Sequence, residues 1–307
     1  MLKPSAHMMR TMAMPLGMLT GALFCREMEW LESTTQGWLT PMFIGSMLFV
    51  TFCKVDARQI RLQMMHLWLI LFQAIGCFVA YYAMLPFGEV VAQGAMICVL
   101  APIAMGAVVI GGMLGAKVET MVAYSLLCNI AVAIFAPVLL SVYGTGTCSI
   151  GEILGRVAPM LIMPFVLAQL CRLFTPKVSG WVAAHSQISF YIWLLSLIVI
   201  IGRTICFIID HSEADRLTEL LLLALVALVI CATQFIVGRI IGRKYGDASA
   251  GGQSLGQKNT VMAVWMAQSF LDPLSSVAPT AYIVWQNLVN SYQLYRFGNR
   301  KEDKVNK

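Results

Sequence analysis

Lys258 lies in Ser254-Leu255-Gly256-Gln257-Lys258-Asn259, with the apolar run Thr260–Leu271 directly behind it. A charged side chain at the mouth of such a segment is costly in lipid, and where one occurs it marks a functional site. The residue therefore bears on what the protein binds. Other chemistry is hard to find. An enzyme needs a nucleophile–base pair or metal ligands within helical reach, and no HExxH, paired-aspartate or Ser/His arrangement occurs. Phosphate-cradling glycine motifs are absent too, which removes a primary pump. The 9 cysteines lie mostly inside apolar runs without CxxC spacing, which argues for small core residues and against a zinc or disulfide framework. No catalytic, cofactor or metal role is expected.

The elements that must position Lys258 are membrane helices. Of the 307 residues, 59% are hydrophobic and 12% charged, with a mean hydropathy of +0.78. Soluble domains average about a quarter charged residues. Spans of roughly 20 apolar residues cross a bilayer, so the chain holds about ten of them and no water-soluble domain. Breaks at charge and turn clusters place them near Met8–Cys25, Gly37–Cys53, His66–Pro86, Val91–Gly115, Val118–Tyr143, Glu152–Phe174, His185–Ile209, Ala214–Ile241, Asp247–Leu271 and Ser275–Phe297.

Charge supplies an independent check. With the N-terminus inside, Lys54, Arg58, Arg61, Lys117, Arg172, Lys177, Arg239, Arg243 and Lys244 fall in cytoplasmic segments, as does the basic tail 298–307. Only Arg26, Arg156 and Arg216 fall outside, where Glu27, Glu29, Glu32 and Asp210 collect. The positive-inside rule predicts this split with both termini cytoplasmic. The tail reads as a topology determinant and not as a nucleic-acid site. No removable signal peptide is expected.

Two spans are interrupted in corresponding places of the two halves. The fourth contains Ala101-Pro102-Ile103-Ala104-Met105-Gly106, and the ninth contains Gly251-Gly252-Gln253-Ser254-Leu255-Gly256-Gln257. Proline removes a backbone donor and glycine weakens a helix, so both spans are expected to unwind mid-membrane, the ninth through its glycines. Unwound backbone survives there only inside protein or against a wet cavity, and paired interruptions point to a transporter binding site. The following spans echo each other in Phe135-Ala136-Pro137 and Val277-Ala278-Pro279, as a duplication of five plus five would.

At this point the chain resembles a known family. Gly256-Gln257-Lys258-Asn259-Thr260, between a basic loop and a long apolar helix, is similar to the ninth-span crossover of the bile acid:sodium symporter family. The break led by Pro102 after Cys98 resembles the family's fourth-span Cys-Pro segment, and His66-Leu67-Trp68, Phe72-Gln73 and Ser125…Asn129…Ala136-Pro137 fall in step. The resemblance implies an all-α membrane protein of the bacterial inner membrane, with ten transmembrane helices in two inverted five-helix repeats. The fourth and ninth would be broken and would cross. A panel domain would take residues about 8–53 and 152–209, and a core domain about 66–143 and 214–297. The implied activity is alternating-access transport of an organic anion, a bile acid or smaller carboxylate, with sodium.

Carried over position by position, the family's sodium ligands are depleted here. Its ninth-span glutamate becomes Ser254 and its glutamine becomes Lys258, while a fourth-span Ser-Asn pair becomes Ala107 and Val108. Gln73 and Ser125 are retained, and Asn129 stands where a threonine is usual. A hard cation needs several oxygen ligands. The expectation is that the Lys258 ammonium takes the place of a sodium ion, bonded to Gln73 and crossover carbonyls, with a proton or nothing as the coupling ion. Gln257 and Asn259 complete the candidate site with Pro102. The bland alternative has Lys258 paired structurally with Glu119. Arg203 could meet an anion or sit beside Asp210, and His66 and His185 are expected at the membrane interface. The aromatic belt would include Trp38, Trp68, Tyr81 and Tyr143. The partners expected are a small organic anion and membrane lipids; no motif calls for a protein partner. Two other functions fit such a chain: a cation:proton antiporter of related architecture, which normally carries an acidic crossover residue, and a sensor that binds without transporting.

Overall fold

The computed structural model describes residues 6–54, 62–144, 149–185, 187–210 and 217–305, without the side chains of 6–14, 105 and 298–305. Arg58, Arg61 and Arg216, and the side chains of the basic tail, lie outside the described residues. The described chain is helical throughout, with one isolated two-residue bridge and no strand. Among the described residues five helices are long and apolar enough to cross a membrane: Met64–Phe87, Val118–Tyr143, Ile150–Phe174, Ile188–Asp210 and Leu217–Lys244. At 1.5 Å per residue each reaches across the roughly 30 Å hydrocarbon layer. Leu39–Phe52 and Glu89–Leu100 are shorter apolar helices.

The chain divides into two compact units, residues 1–55 with 159–216, and 56–158 with 217–307. The first unit contains α1 (Ala6–Leu23), α2 (Cys25–Thr34), α3 (Leu39–Phe52), the later part of α8 (Ile150–Phe174), α9 (Pro176–Ala184) and α10 (Ile188–Asp210). Here α10 packs on α1, α2 and α3. Arg203 enters an otherwise apolar helix, and the short polar helix α2 meets it. Its Nε donates to Glu29 Oε2 at 3.3 Å, and its Nη1 lies 3.7 Å from Glu32 Oε1. The Glu32 carboxylate is buried and also accepts from Thr40 Oγ1 at 3.0 Å. Asp210 is bonded instead by Arg26, at 2.8 Å. Two carboxylates thus meet the Arg203 guanidinium.

The second unit contains α4 (Met64–Met84), α5 (Glu89–Leu100), α6 (Met105–Met113), α7 (Val118–Tyr143), the start of α8, α11 (Leu217–Lys244), α12 (Ala248–Gly256), α13 (Thr260–Phe270) and α14 (Val277–Val305). Its core is the α12–α13 segment, buried without a gap over 250–267. The glycines of α12 serve this burial. A Cβ on Gly251 would stand 2.2 Å from Gly238 O and 2.7 Å from Gly242 Cα, so α11 and α12 touch backbone to backbone, as small residues permit in membrane helices. The expected unwinding at Gly251, Gly252 and Gly256 is therefore corrected. These residues are helical, and the break falls just after them at 257–259.

Two buried side chains fix the ends of these segments. Asp247 caps α12 by accepting from Ala250 N at 2.8 Å and accepts from Lys117 N, at the start of α7, at 2.7 Å. Gln93 donates to Tyr143 O and accepts from Asp272 N, both at 2.9 Å. Burial inside the protein differs among the residues expected at the membrane interface. His66 is buried, its Nδ1 accepting from Gln63 N in the capping box of α4. Tyr81 is buried against the Tyr143 ring, whereas Trp38, Trp68 and His185 are exposed.

Candidate functional site: the paired helix breaks

The site begins with what Pro102 cannot do. It has no N–H, so α5 cannot bond Cys98 O four residues back. The helix ends, and its last carbonyls need other donors, because orphaned polar backbone inside a membrane costs several kcal/mol. Every one of them finds a side chain. Gln234 Nε2, from α11, donates to Cys98 O at 3.3 Å. Lys258 Nζ donates to Val99 O at 3.0 Å. Gln73 Nε2, from α4, donates to Leu100 O at 2.8 Å and Ala101 O at 3.1 Å. The chain resumes as α6 at Met105.

The second break meets the first. Ala104 N donates to Gln257 O, and Asn259 N donates to Pro102 O, both at 2.8 Å. The two gaps thus form a short antiparallel bridge centred on Ile103 and Lys258. Asn259 then restarts the helix, its Oδ1 accepting from Met262 N as the N-cap of α13, which satisfies one of the first-turn donors. From α14, Gln286 Oε1 accepts from Lys258 N at 2.9 Å, and Tyr282 Oη donates to Gly256 O at 2.8 Å.

Lys258 is 1% exposed. Among the described residues no carboxylate pairs with it, and Glu119 is exposed, so the structural ion pair considered from sequence is not formed. The titratable groups around the ammonium are the thiols of Cys128, Cys77 and Cys98. What balances its charge is the C-terminal end of α5, the negative end of a helix dipole. The expected bond to Gln73 is absent from this arrangement, and the reason is competition. The Gln73 amide nitrogen serves two carbonyls, and its Oε1 accepts from Tyr124 Oη at 3.3 Å and Cys128 Sγ at 3.4 Å.

The structure brings Lys258, Gln257, Asn259, Pro102 and Gln73 together at the junction. Ser254 is wholly buried one turn earlier on α12, its Oγ without a hydrogen-bond partner. Ser125 and Asn129 are buried on α7, which packs on α12. Asn129 Nδ2 donates back to Ser125 O at 2.7 Å, leaving its Oδ1 without a partner. None of these three bonds directly to the crossover. The sequence reading passed over Gln286, Gln234, Tyr282 and Tyr124. The signal available was the presence of a polar group inside an apolar helix, which also describes many residues away from the site.

Neither a protein-family model nor a curated protein matches the chain.

Proposed function

We propose that the protein is a secondary transporter of a small organic anion, working without sodium, in which the Lys258 ammonium stands where a bile acid:sodium symporter would hold its ion. In this reading ten spans form two inverted five-helix repeats, with α5–α6 and α12–α13 as the broken fourth and ninth. The panel and core domains would be the two compact units, whose division of the chain supports this reading. Alternating access would move one against the other in the inner membrane, with both termini in the cytoplasm.

One observation carries the proposal: a buried lysine whose head group serves the open carbonyl end of an interrupted helix. In broken-helix transporters such carbonyl ends are where a coupling cation is held. The donor set offers sodium no anionic oxygen. The oxygens without hydrogen-bond partners on the residues at and beside the junction are Gln257 Oε1, Gln234 Oε1, Ser254 Oγ and Asn129 Oδ1, all uncharged, and Gln73 Oε1 already accepts two bonds. A second cation about 4 Å from the ammonium would be repelled by roughly 4 kcal/mol at an effective dielectric of 20. The half-helix N-termini of α6 and α13 open at the same junction and present positive dipole ends, which favours an anionic cargo.

Counterflow of a labelled bile acid and a labelled short keto acid in proteoliposomes tests the reading. We expect equal rates in sodium and in potassium, and loss of counterflow in Lys258→Met. Sodium-dependent uptake that survives that substitution would overturn it. Binding without counterflow would instead identify a sensor.

A further inference from the structure

Between α4 and α7 lies a cavity of about 350 Å³, within the size range of small-molecule sites. Its rim is formed by Phe78, Ile134, Phe135 and Val138, all exposed, and its floor by the buried Gln73 and Leu100. No polar atom contributes to its open wall, because the Gln73 amide is turned inward onto Leu100 O and Ala101 O. Both helices are long and apolar enough to span a bilayer, and the lining residues of α4 occupy the middle of its span.

We propose that a phospholipid acyl chain occupies this groove and bears directly on the end of α5. Three physical points select that occupant. Water is held in a buried site by two to four polar partners, and this wall offers none. Left empty, the lining atoms forfeit dispersion contacts. Hydrocarbon is the medium that surrounds two spanning helices at mid-depth, and a flexible chain can enter past the exposed rim. The floor is what gives the occupant a consequence. Gln73 and Leu100 hold the same turn of α5 whose Val99 carbonyl receives Lys258, so the lipid tail forms the outer support of the crossover. The inference goes beyond the transport reading and needs only that α4 and α7 cross a bilayer. Its test therefore succeeds or fails independently of transport.

The full-length protein is placed in nanodiscs of phosphatidylethanolamine and phosphatidylglycerol containing a phospholipid with a mid-chain diazirine. After photolysis, adducts are mapped by peptide mass spectrometry. Adducts should concentrate on the peptides carrying Phe78 and Phe135. Filling the groove from either wall, by Ala74→Phe on α4 or Ala131→Phe on α7, should abolish that concentration. Val79→Phe, on an exposed part of α4 outside the groove, should leave it intact. The two filling variants sit on different helices, so failure of one to fold leaves the other as a full test. Equal labelling in all four proteins, labelling spread evenly over every exposed helix face, or cross-links to a second copy of the chain in place of lipid would each overturn the proposal.

Discussion

Arg203 and Lys258 are both cations set among apolar helices, and the two units treat them in opposite ways. In the first unit Arg203 is met by Glu29 and Glu32, so the charge is cancelled by carboxylates from a neighbouring helix. In the second unit Lys258 is met by a backbone carbonyl at the end of a broken helix, and among the described residues no carboxylate pairs with it. Cancelled charge stabilises a fixed arrangement. A charge held only by carbonyls can be replaced by another cation, or respond to an anion, without stranding a carboxylate. That difference is why the proposed transport site is built on Lys258 and not on Arg203.

The comparison can be broken by substitution, and the largest effect should come from the first unit. Arg203→Met strands the buried Glu32 carboxylate, and removing one partner of a buried pair costs about 3 kcal/mol. Adding Glu32→Gln to that variant should recover most of the loss, read by reversible unfolding in mixed micelles. If the double variant is no more stable than the single one, the cancellation account is wrong. Lys258→Met should cost less, on the order of 2 kcal/mol, because it orphans one buried carbonyl. Pairing it with Glu32→Gln should bring no recovery, since no carboxylate balances Lys258.

Gln234→Leu sharpens the same point. It removes an uncharged donor from the same helix end, at Cys98 O, and should cost about 1 kcal/mol. A larger loss than that of Lys258→Met would mean that the ammonium contributes less than a neutral amide. The smallest effect is expected at Arg26, whose pair with Asp210 is exposed on both sides. Exposed pairs of this kind contribute little and are screened by salt, so Arg26→Gln should leave the unfolding midpoint unchanged at high ionic strength.

Parts of this arrangement were legible in the sequence, for local reasons. Pro102 ends α5 through its own missing N–H, and no tertiary contact is needed to foresee it. The glycines of α12 were misleading for the converse reason. Glycine weakens an isolated helix, but here Gly251 faces Gly238 and Gly242 of α11 at contact distance. The packing that this permits keeps the segment helical. His66 and Tyr81 stand at span ends in the sequence, and their burial inside the protein is likewise a matter of packing.

By itself, then, the sequence determined an apolar helical chain, a proline-led break, a polar second break and one costly lysine beside it. Each follows from covalent chemistry or from side-chain type within a few residues. Only the tertiary structure decided which donors serve the open end of α5, because Gln73, Gln234 and Lys258 stand far from it in the chain and reach it from two different helices and from the second break. A hydrogen bond is selected by distance and direction at about 3 Å. Neither hydropathy nor spacing along the chain encodes that selection.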